Sequence, residues 1–334
     1  MKNQDDEKFI RVVEELIDPA EVSNLYFFSG FKRLLPRSVF KKMLVRTSKK
    51  TPYMGFVIEP YALFLFFKLK DKEKAKSLLP ERYELKKSKI FDDEEPEHYL
   101  GMGIFNTRAS TFWGARLEAY LIAEDKETGH VSWIFIDILS NTLIAIPSLG
   151  VADRNSKNAI YTTNSKGDIL LDFKEDKTDR QIILTGNITN GKMRNLDQPL
   201  WVIGNTSIGH KKEFSEKDDD PFAVIFDTAE VEKALDIPLE DIQIKYNTLF
   251  PDLAEPELVK VLCFPFAQHY IADSPGCRTY VKSIDDMTHH YNKISEIKEI
   301  KTFSTKSIKR MLFLGMFLPI LTSIILLILL IISL

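Results

Sequence analysis

Cys263 and Cys277 are the only thiols in the chain, and His269 lies between them. A thiolate activated by an imidazole is therefore the first covalent chemistry the residue types allow. Little else supports it. Two cysteines make no disulfide framework, and neither a Cys-x-x-Cys nor a His-x-x-x-His spacing occurs. His210 stands beside Lys211-Lys212 and His289-His290 in a polar stretch, without a ligand spacing to carboxylate or thiol, so no metal site is expected. A Gly-rich phosphate loop and a Gly-x-Ser-x-Gly elbow are both missing, and no cofactor is expected. Two charged residues stand out by their setting. Glu118 lies inside an apolar run, between Leu117 and Ala119; alternation does not decide its face, because Arg116 and Tyr120 share its side. Lys157 lies between Ser156 and Asn158 with Arg154 three positions earlier, and that setting suits an exposed turn as well as a site.

The elements that must hold such residues begin from the far end. Met311 to Leu334 is a run of 24 residues without a charged side chain. As a helix it would extend roughly 36 Å, enough to cross a hydrocarbon core about 30 Å thick. Gly315 and Pro319 are tolerated in such helices. Lys301, Lys306, Lys309 and Arg310 precede the run, and basic flanks favour the cytoplasmic side, so the preceding body is expected to face the cytoplasm. The acidic, polar opening MKNQDDEKF does not resemble an export signal.

Before the anchor the chain divides by composition. Residues 1–50 read as an N-terminal helical extension, with a short amphipathic helix over Phe9 to Ile17. Leu25 to Arg46 combines apolar residues with basic ones, which suits either a membrane interface or packing on the main domain. Residues 51–286 read as short strands: Phe56–Ile58, Tyr61–Phe67, Tyr99–Phe105, Ala115–Ala123, Val131–Asp137, Thr142–Ile146, Ala159–Thr163, Ile169–Phe173 and Gln181–Asn187. Pro199–Ile203, Phe222–Phe226, Ile242–Tyr246 and Lys260–Phe266 continue the series, with helices at Asp71–Leu79 and Val231–Leu235. Glu124 to Gly129 is hairpin-like, and Asp92 to Glu97 is a charged loop. Many short strands between turn residues predict an antiparallel barrel or sandwich. Residues 287–310 form a polar helical linker into the anchor at 311–334.

Charge removes one class of function. With 45 basic and 48 acidic side chains the net charge is -3, so no overall field attracts nucleic acid. Asn187-Ile-Thr189 and Asn205-Thr-Ser207 match the glycosylation pattern, but such short matches arise by chance and would need a lumenal body.

The order of elements from Tyr61 to Phe173 carries a family resemblance. A strand (YALFLFFKL) leads to a helix ending Leu-Leu-Pro-Glu-Arg-Tyr-Glu-Leu (Leu78–Leu85), then to a strand with a central glutamate (ARLEAYLIAED). A glycine turn, a strand ending in aspartate (VSWIFIDIL) and Lys157-Asn-Ala159 follow. This order resembles the acetoacetate decarboxylase superfamily. The resemblance implies a lysine, the first of a Pro-Lys-Lys sequence, that forms a Schiff base with a keto acid; acetoacetate decarboxylase is a standard case of a lysine whose pKa is lowered by desolvation and a neighbouring cation. It implies catalytic roles for Lys157 and Glu118 and substrate-binding roles for Arg154 and Lys68. The chain departs from the family at the lysine pair: Pro147 to Lys157 keeps only Lys157, and the arginine position falls near Lys68 one residue out of step.

The expected fold is thus α+β: a predominantly antiparallel, barrel-like β domain of acetoacetate decarboxylase type with few short helices, plus one C-terminal transmembrane helix. The expected function is a membrane-tethered protein binding a small oxo-acid or carbonyl compound in the barrel, with decarboxylase (lyase) activity left open by the incomplete lysine pair. The alternative is a non-catalytic module for a lipid or hydrophobic metabolite at the membrane surface. Partners are then the membrane and a small ligand, without nucleic acid; self-association as a homo-oligomer stays open.

Overall fold

A computed structural model describes residues 3–29, 53–146, 150–152, 154–209, 221–273 and 279–333. Five α-helices occur among them: α1 (Asn3–Glu15), α2 (Pro19–Ser29), α3 (Lys72–Ser77), α4 (Ile284–Ser295) and α5 (Lys306–Ser333). The first nine strands are β1 (Tyr53–Ile58), β2 (Ala62–Leu69), β3 (Tyr83–Leu85), β4 (Tyr99–Ala109), β5 (Trp113–Asp125), β6 (Val131–Ser140), β7 (Ile144–Ile146), β8 (Gly150–Ala152) and β9 (Ser156–Thr163). The remainder are β10 (Asp168–Glu175), β11 (Gln181–Asn187), β12 (Lys192–Asn195), β13 (Thr206–Gly209), β14 (Pro221–Phe226), β15 (Lys233–Asp236), β16 (Ile242–Asn247), β17 (Ala254–Phe264) and β18 (Gln268–Asp273).

Strand β4 closes the architecture. It pairs with β2 and β1 along one edge and with β5 along the other, so the order β4-β1-β18-β14-β13-β6-β5 returns to β4 as a ring. Closure satisfies every edge in the ring, which is the general solution to exposed backbone groups on strands. Strands β2, β17, β15 and β12 extend from β4 as an outer flap, and β3 extends from β5. All pairings in the ring are antiparallel except β6 with β13. A β-bulge between Ala119 and Tyr120 of β5 shifts the register against β6, and such bulges increase local bending.

Strand β5 shows why both of its faces must be covered. Its 13 residues are buried almost throughout. Leu117, Ala119, Leu121 and Ala123 face a core shared with a second, four-stranded sheet in the order β16-β11-β10-β9, which supplies Ala159, Tyr161, Leu171, Phe173 and Leu184. Tyr120 and Ile122 face the other way, into the aromatic core with Phe105, Trp133 and Trp201. That second face is the barrel interior, because the opposite face is the one covered by the four-stranded sheet.

The helices pack outside. Helix α1 lies on β1 so closely that a Cβ on Gly55 would stand 2.6 Å from the Val13 carbonyl oxygen, which glycine alone permits. Phe9 of α1 meets Tyr291 of α4 at 4.5 Å between ring centroids. Arg108 of β4 fixes α1 through Glu14 (2.8 Å) and also holds Glu59 (2.5 Å). Glu21 of α2 accepts from the Thr305 N–H (2.6 Å), the Thr305 hydroxyl (2.5 Å) and the Ser304 hydroxyl (3.2 Å), thereby capping the start of α5. Burial opposes its charged form, yet these bonds outweigh that and hold its carboxyl below the usual range.

Several local expectations are corrected. Pro199–Ile203 is a single helical turn, with Leu200, Trp201 and Val202 buried, so its apolar run reflects burial on all sides and no strand period. The expected helix at Val231–Leu235 is a short turn over Thr228–Val231, capped by the Asp227 side chain, followed by β15. Strand β17 starts at Ala254, earlier than expected, and β18 was not anticipated at all. The basic stretch beyond Ser29, His210, the Lys211–Asp220 loop and Cys277 lie outside the described residues.

Helix α5 is a 28-residue element interrupted in sequence by Pro319. Its described side chains from Leu321 to Ile332 are all exposed, reaching 76 % at Ile332. Among the described residues no helix is long and apolar enough to cross a membrane.

Candidate functional site

Alternation along β5 places Arg116, Glu118 and Tyr120 side by side on the barrel's inner face. Glu118 stands opposite Gly103 of β4 and Ile138 of β6. All three are buried, Arg116 at 5 % exposure and Glu118 at 6 %. The Arg116 Nη1 donates to Glu118 Oε1 at 3.1 Å, and the Tyr120 hydroxyl donates to Glu118 Oε2. The Phe112 ring covers one face of the guanidinium, with 3.5 Å from Cζ to the ring centroid. Nε and Nη2 of Arg116 are buried and make no hydrogen bond.

The electrostatics follow from this burial. Desolvation pushes the Arg116 guanidinium down from its usual value, against the pull of Glu118. Desolvation pushes the Tyr120 hydroxyl well above its usual value, and the Glu118 charge adds to that. Tyr120 therefore remains protonated as a donor, and both Glu118 oxygens are occupied. Such a set can hold and orient a partner, and neither Glu118 oxygen is left free of a hydrogen bond. Around it the inner wall is aromatic: Phe56 stacks on Tyr270 at 4.9 Å, Tyr120 meets Phe135 at 4.7 Å, and Phe226 meets Tyr270 at 5.3 Å. Burial, and then the nearby Glu230, push the Tyr270 hydroxyl above its usual value. Phe56, Phe135 and Tyr270 are only half-buried although they line a barrel.

A second pair lies on the outer side of β18. Glu230 Oε2 accepts from the His269 backbone N–H at 2.5 Å, and its Oε1 is 2.7 Å from His269 Nδ1. Burial pushes the Glu230 carboxyl up. Cys263 is not its nucleophile. It is buried in the opposite core with its thiol pushed up to about 12 by desolvation, so it offers no thiolate near neutrality.

The residues carried over from the family resemblance separate. Glu118 is inside the barrel. Lys157 is exposed on β9, its N–H donating to Asp176 at 2.6 Å, and β9 covers the opposite face of β5 from Glu118. Lys157 and Glu118 thus share no cavity, and no desolvating wall surrounds the amine. Arg154 is exposed before β9. Lys68 is exposed at the end of β2, where it pairs with Glu97 at 3.1 Å. The His98 N–H, then Lys68, bring the Glu97 carboxyl down to about 2. Sequence reasoning missed Arg116, Tyr120 and Phe112 as members of the site. The available signal was the spacing Arg-x-Glu-x-Tyr, which places three polar groups on one strand face. An open hollow of about 740 Å³ lies elsewhere, on the outer end of the four-stranded sheet, lined by Thr162, Asp168, Asn187, Asp241 and Lys245 among others. Its titratable groups, Asp168 among them, are exposed or half-buried.

No family model matches the chain, and no curated protein matches it. Among solved structures, it is similar to acetoacetate decarboxylase from Legionella pneumophila subsp. pneumophila str. Philadelphia 1, with TM-score 0.43 and 11 % identity over 66 % of this chain and 85 % of that one. It is similar to the enduracididine biosynthesis enzyme MppR with HEPES buffer bound, with TM-score 0.40 and 12 % identity over 67 % and 86 %. MppR complexed with the condensation product of pyruvate and imidazole 4-carboxaldehyde gives TM-score 0.40 and 11 % identity over 66 % and 87 %. The first of these is an enzyme of the family that the Tyr61–Phe173 order resembles, and at these scores the likenesses assign no residue a role.

Proposed function

We propose that the chain is a membrane-tethered binding protein that takes a small carbonyl compound or oxo-acid inside its barrel, at Arg116, Glu118 and Tyr120. The observation that carries this reading is the buried arginine on the inner face, with two of its nitrogens unpartnered among the described residues and the half-buried Phe112 ring over its guanidinium. Concave, mainly apolar sites with a few convergent polar groups are the usual form of a small-molecule site. Imine chemistry at Lys157 forms no part of the reading, because that amine is exposed on the other sheet. The tether is α5: exposed leucine and isoleucine side chains along its C-terminal half would cost about 25 cal/mol per Å² in water and nothing in a bilayer. Lys301, Lys306, Lys309 and Arg310 support a body on the cytoplasmic side.

Two experiments test the two parts. Full-length protein in detergent micelles is titrated with acetoacetate, pyruvate and acetone while tryptophan emission is followed, since Trp113 and Trp133 lie on β5 and β6. A saturable change is expected for at least one of them; a flat signal for all three overturns the binding reading for this class. Membranes carrying the chain are extracted with alkaline carbonate, where retention in the pellet is expected and release into the supernatant overturns the tether.

A further inference from the structure

The arginines of this fold provide their own standard of comparison. Arg82 holds Asp125 through Nε (2.8 Å) and Nη2 (2.5 Å) and reaches Glu127 at 3.2 Å. Arg108 spans Glu14 and Glu59. Arg180 spans Asp137 and Glu175, and Arg194 spans Asp93 and Asp236. These four side chains are 27–31 % exposed, and each serves at least two carboxylates. The Arg116 side chain is 7 % exposed and serves one. The nitrogens it leaves free, Nε and Nη2, are the same pair with which Arg82 grips a carboxylate.

We infer that the Nε–Nη2 edge of Arg116 is a receptor for the carboxylate of a ligand, and that the ligand is a monocarboxylate with an aryl or alkyl body. This rests on the interior site proposed above, and it replaces the short oxo-acid of that reading by an apolar monocarboxylate. The fork geometry of a guanidinium edge matches two coplanar oxygens, and a charge-assisted bidentate pair is the strong form of such a bond. A buried donor without a partner forfeits its hydration with no bond in return, and an arriving carboxylate removes that cost at both nitrogens. Glu118 binds at Nη1, so the guanidinium separates the two anions, as Arg108 already does for Glu14 and Glu59. Among the described residues no second cation faces this part of the interior, which disfavours a phosphate or a dicarboxylate. On the same inner face, Phe112 covers the guanidinium and Tyr120 packs against Phe135, a surface that suits an apolar body better than a short polar oxo-acid.

The test uses wild-type full-length protein in detergent micelles and matched probes: 4-phenylbutyrate against 4-phenylbutyramide, octanoate against octanamide, and pyruvate. Each acid is expected to bind at least about 30-fold more tightly than its amide, the effect of losing one charge-assisted bidentate contact. In Arg116→Gln the acid and amide should bind equally. Because the acid–amide comparison is made on the unmodified protein, a variant that fails to fold does not remove the test. Equal binding of acid and amide to wild type overturns the carboxylate receptor. Binding of pyruvate without binding of either apolar acid overturns the ligand class while the binding reading stands. If acids, amides and pyruvate all fail to bind, the binding reading fails with it.

Discussion

Removing Arg116 should destabilise the barrel less than removing the charge of its partner. Glu118→Gln leaves a buried guanidinium without a counter-ion, and stranding one member of a buried pair costs about 3–5 kcal/mol. Arg116→Met strands Glu118 in the same way, but it also removes two buried donors that have no acceptor in the folded state. At about 1–3 kcal/mol each, those donors offset roughly 2–6 kcal/mol of the loss, leaving a net cost of at most about 3 kcal/mol. The double variant Arg116→Met/Glu118→Leu places apolar groups on both positions and should be at least as stable as Arg116→Met alone. Urea unfolding of the full-length chain in detergent micelles reads this out through Trp113, Trp133 and Trp201, which all belong to the barrel or pack against its interior. The expected order of midpoints is wild type and the double variant highest, Arg116→Met next and Glu118→Gln lowest. Arg116→Met falling below Glu118→Gln would refute the reasoning, since it would mean that the Nε–Nη2 edge is already satisfied in the empty protein.

Three further outcomes follow from particular contacts. Burial of Asp125 opposes its charged form, but Arg82 and the Glu127 N–H outweigh it and bring its carboxyl down to about 2 from an ordinary value near 3.8. A depressed carboxyl stabilises above its unfolded pKa and loses that contribution as pH falls through the folded one, so about 2 kcal/mol should disappear between about pH 5 and 2, and Asp125→Asn should show a shallower acid limb in urea midpoints measured across that window. Glu21→Gln should loosen the start of α5 by about 1 kcal/mol, seen as faster amide exchange at Thr305, whereas unchanged exchange would remove the capping role. Borohydride reduction with acetoacetate should leave Lys157 unmodified at a level matching other exposed lysines; selective trapping there, lost in Lys157→Ala, would reinstate imine chemistry.

Local pattern revealed more of this fold than of its closure. The β5–β6 hairpin was legible because both strands are long and apolar and Glu124 to Gly129 ends in a glycine, Gly129, at φ 69°. Helix α3 was legible from its aspartate cap, and Asp71 does accept from the Lys74 N–H. A barrel was expected, but which strands close it was not legible, because the pairings of β4 with β1 and of β13 with β6 join segments far apart in sequence, and no local pattern encodes a partner. Short strands such as β12 and β15 carry too few residues for alternation to register. At the site, Glu118 was found and its face was not. A strand covered on both sides is apolar throughout, so period-two alternation carries no direction, and Arg116 and Tyr120 became informative only once the opposite face was seen to hold Leu117 and Ala119. Lys157 misled for the converse reason. Its position in a family-like order implied a buried amine, whereas burial depends on which sheet covers which, and β9 places it outside.

Arg116 and helix α5 are connected through α2. Antiparallel register sets Arg116 opposite Ser140, the last residue of β6, so the guanidinium lies near one rim of the barrel. At that rim the Tyr26 hydroxyl accepts from the Leu143 N–H at 3.3 Å and lies 3.5 Å from the Trp113 carbonyl oxygen. Five residues earlier on the same helix, a rise of about 7.5 Å, Glu21 caps the first residues of α5. On the tethered reading, the rim nearest Arg116 is therefore the one joined to the membrane helix. An apolar acid dissolved in the bilayer would meet that rim first, and its concentration there would exceed that in bulk water by its partition coefficient. The tether would then raise occupancy of a site whose intrinsic affinity, resting on one bidentate contact and apolar burial, need only be modest.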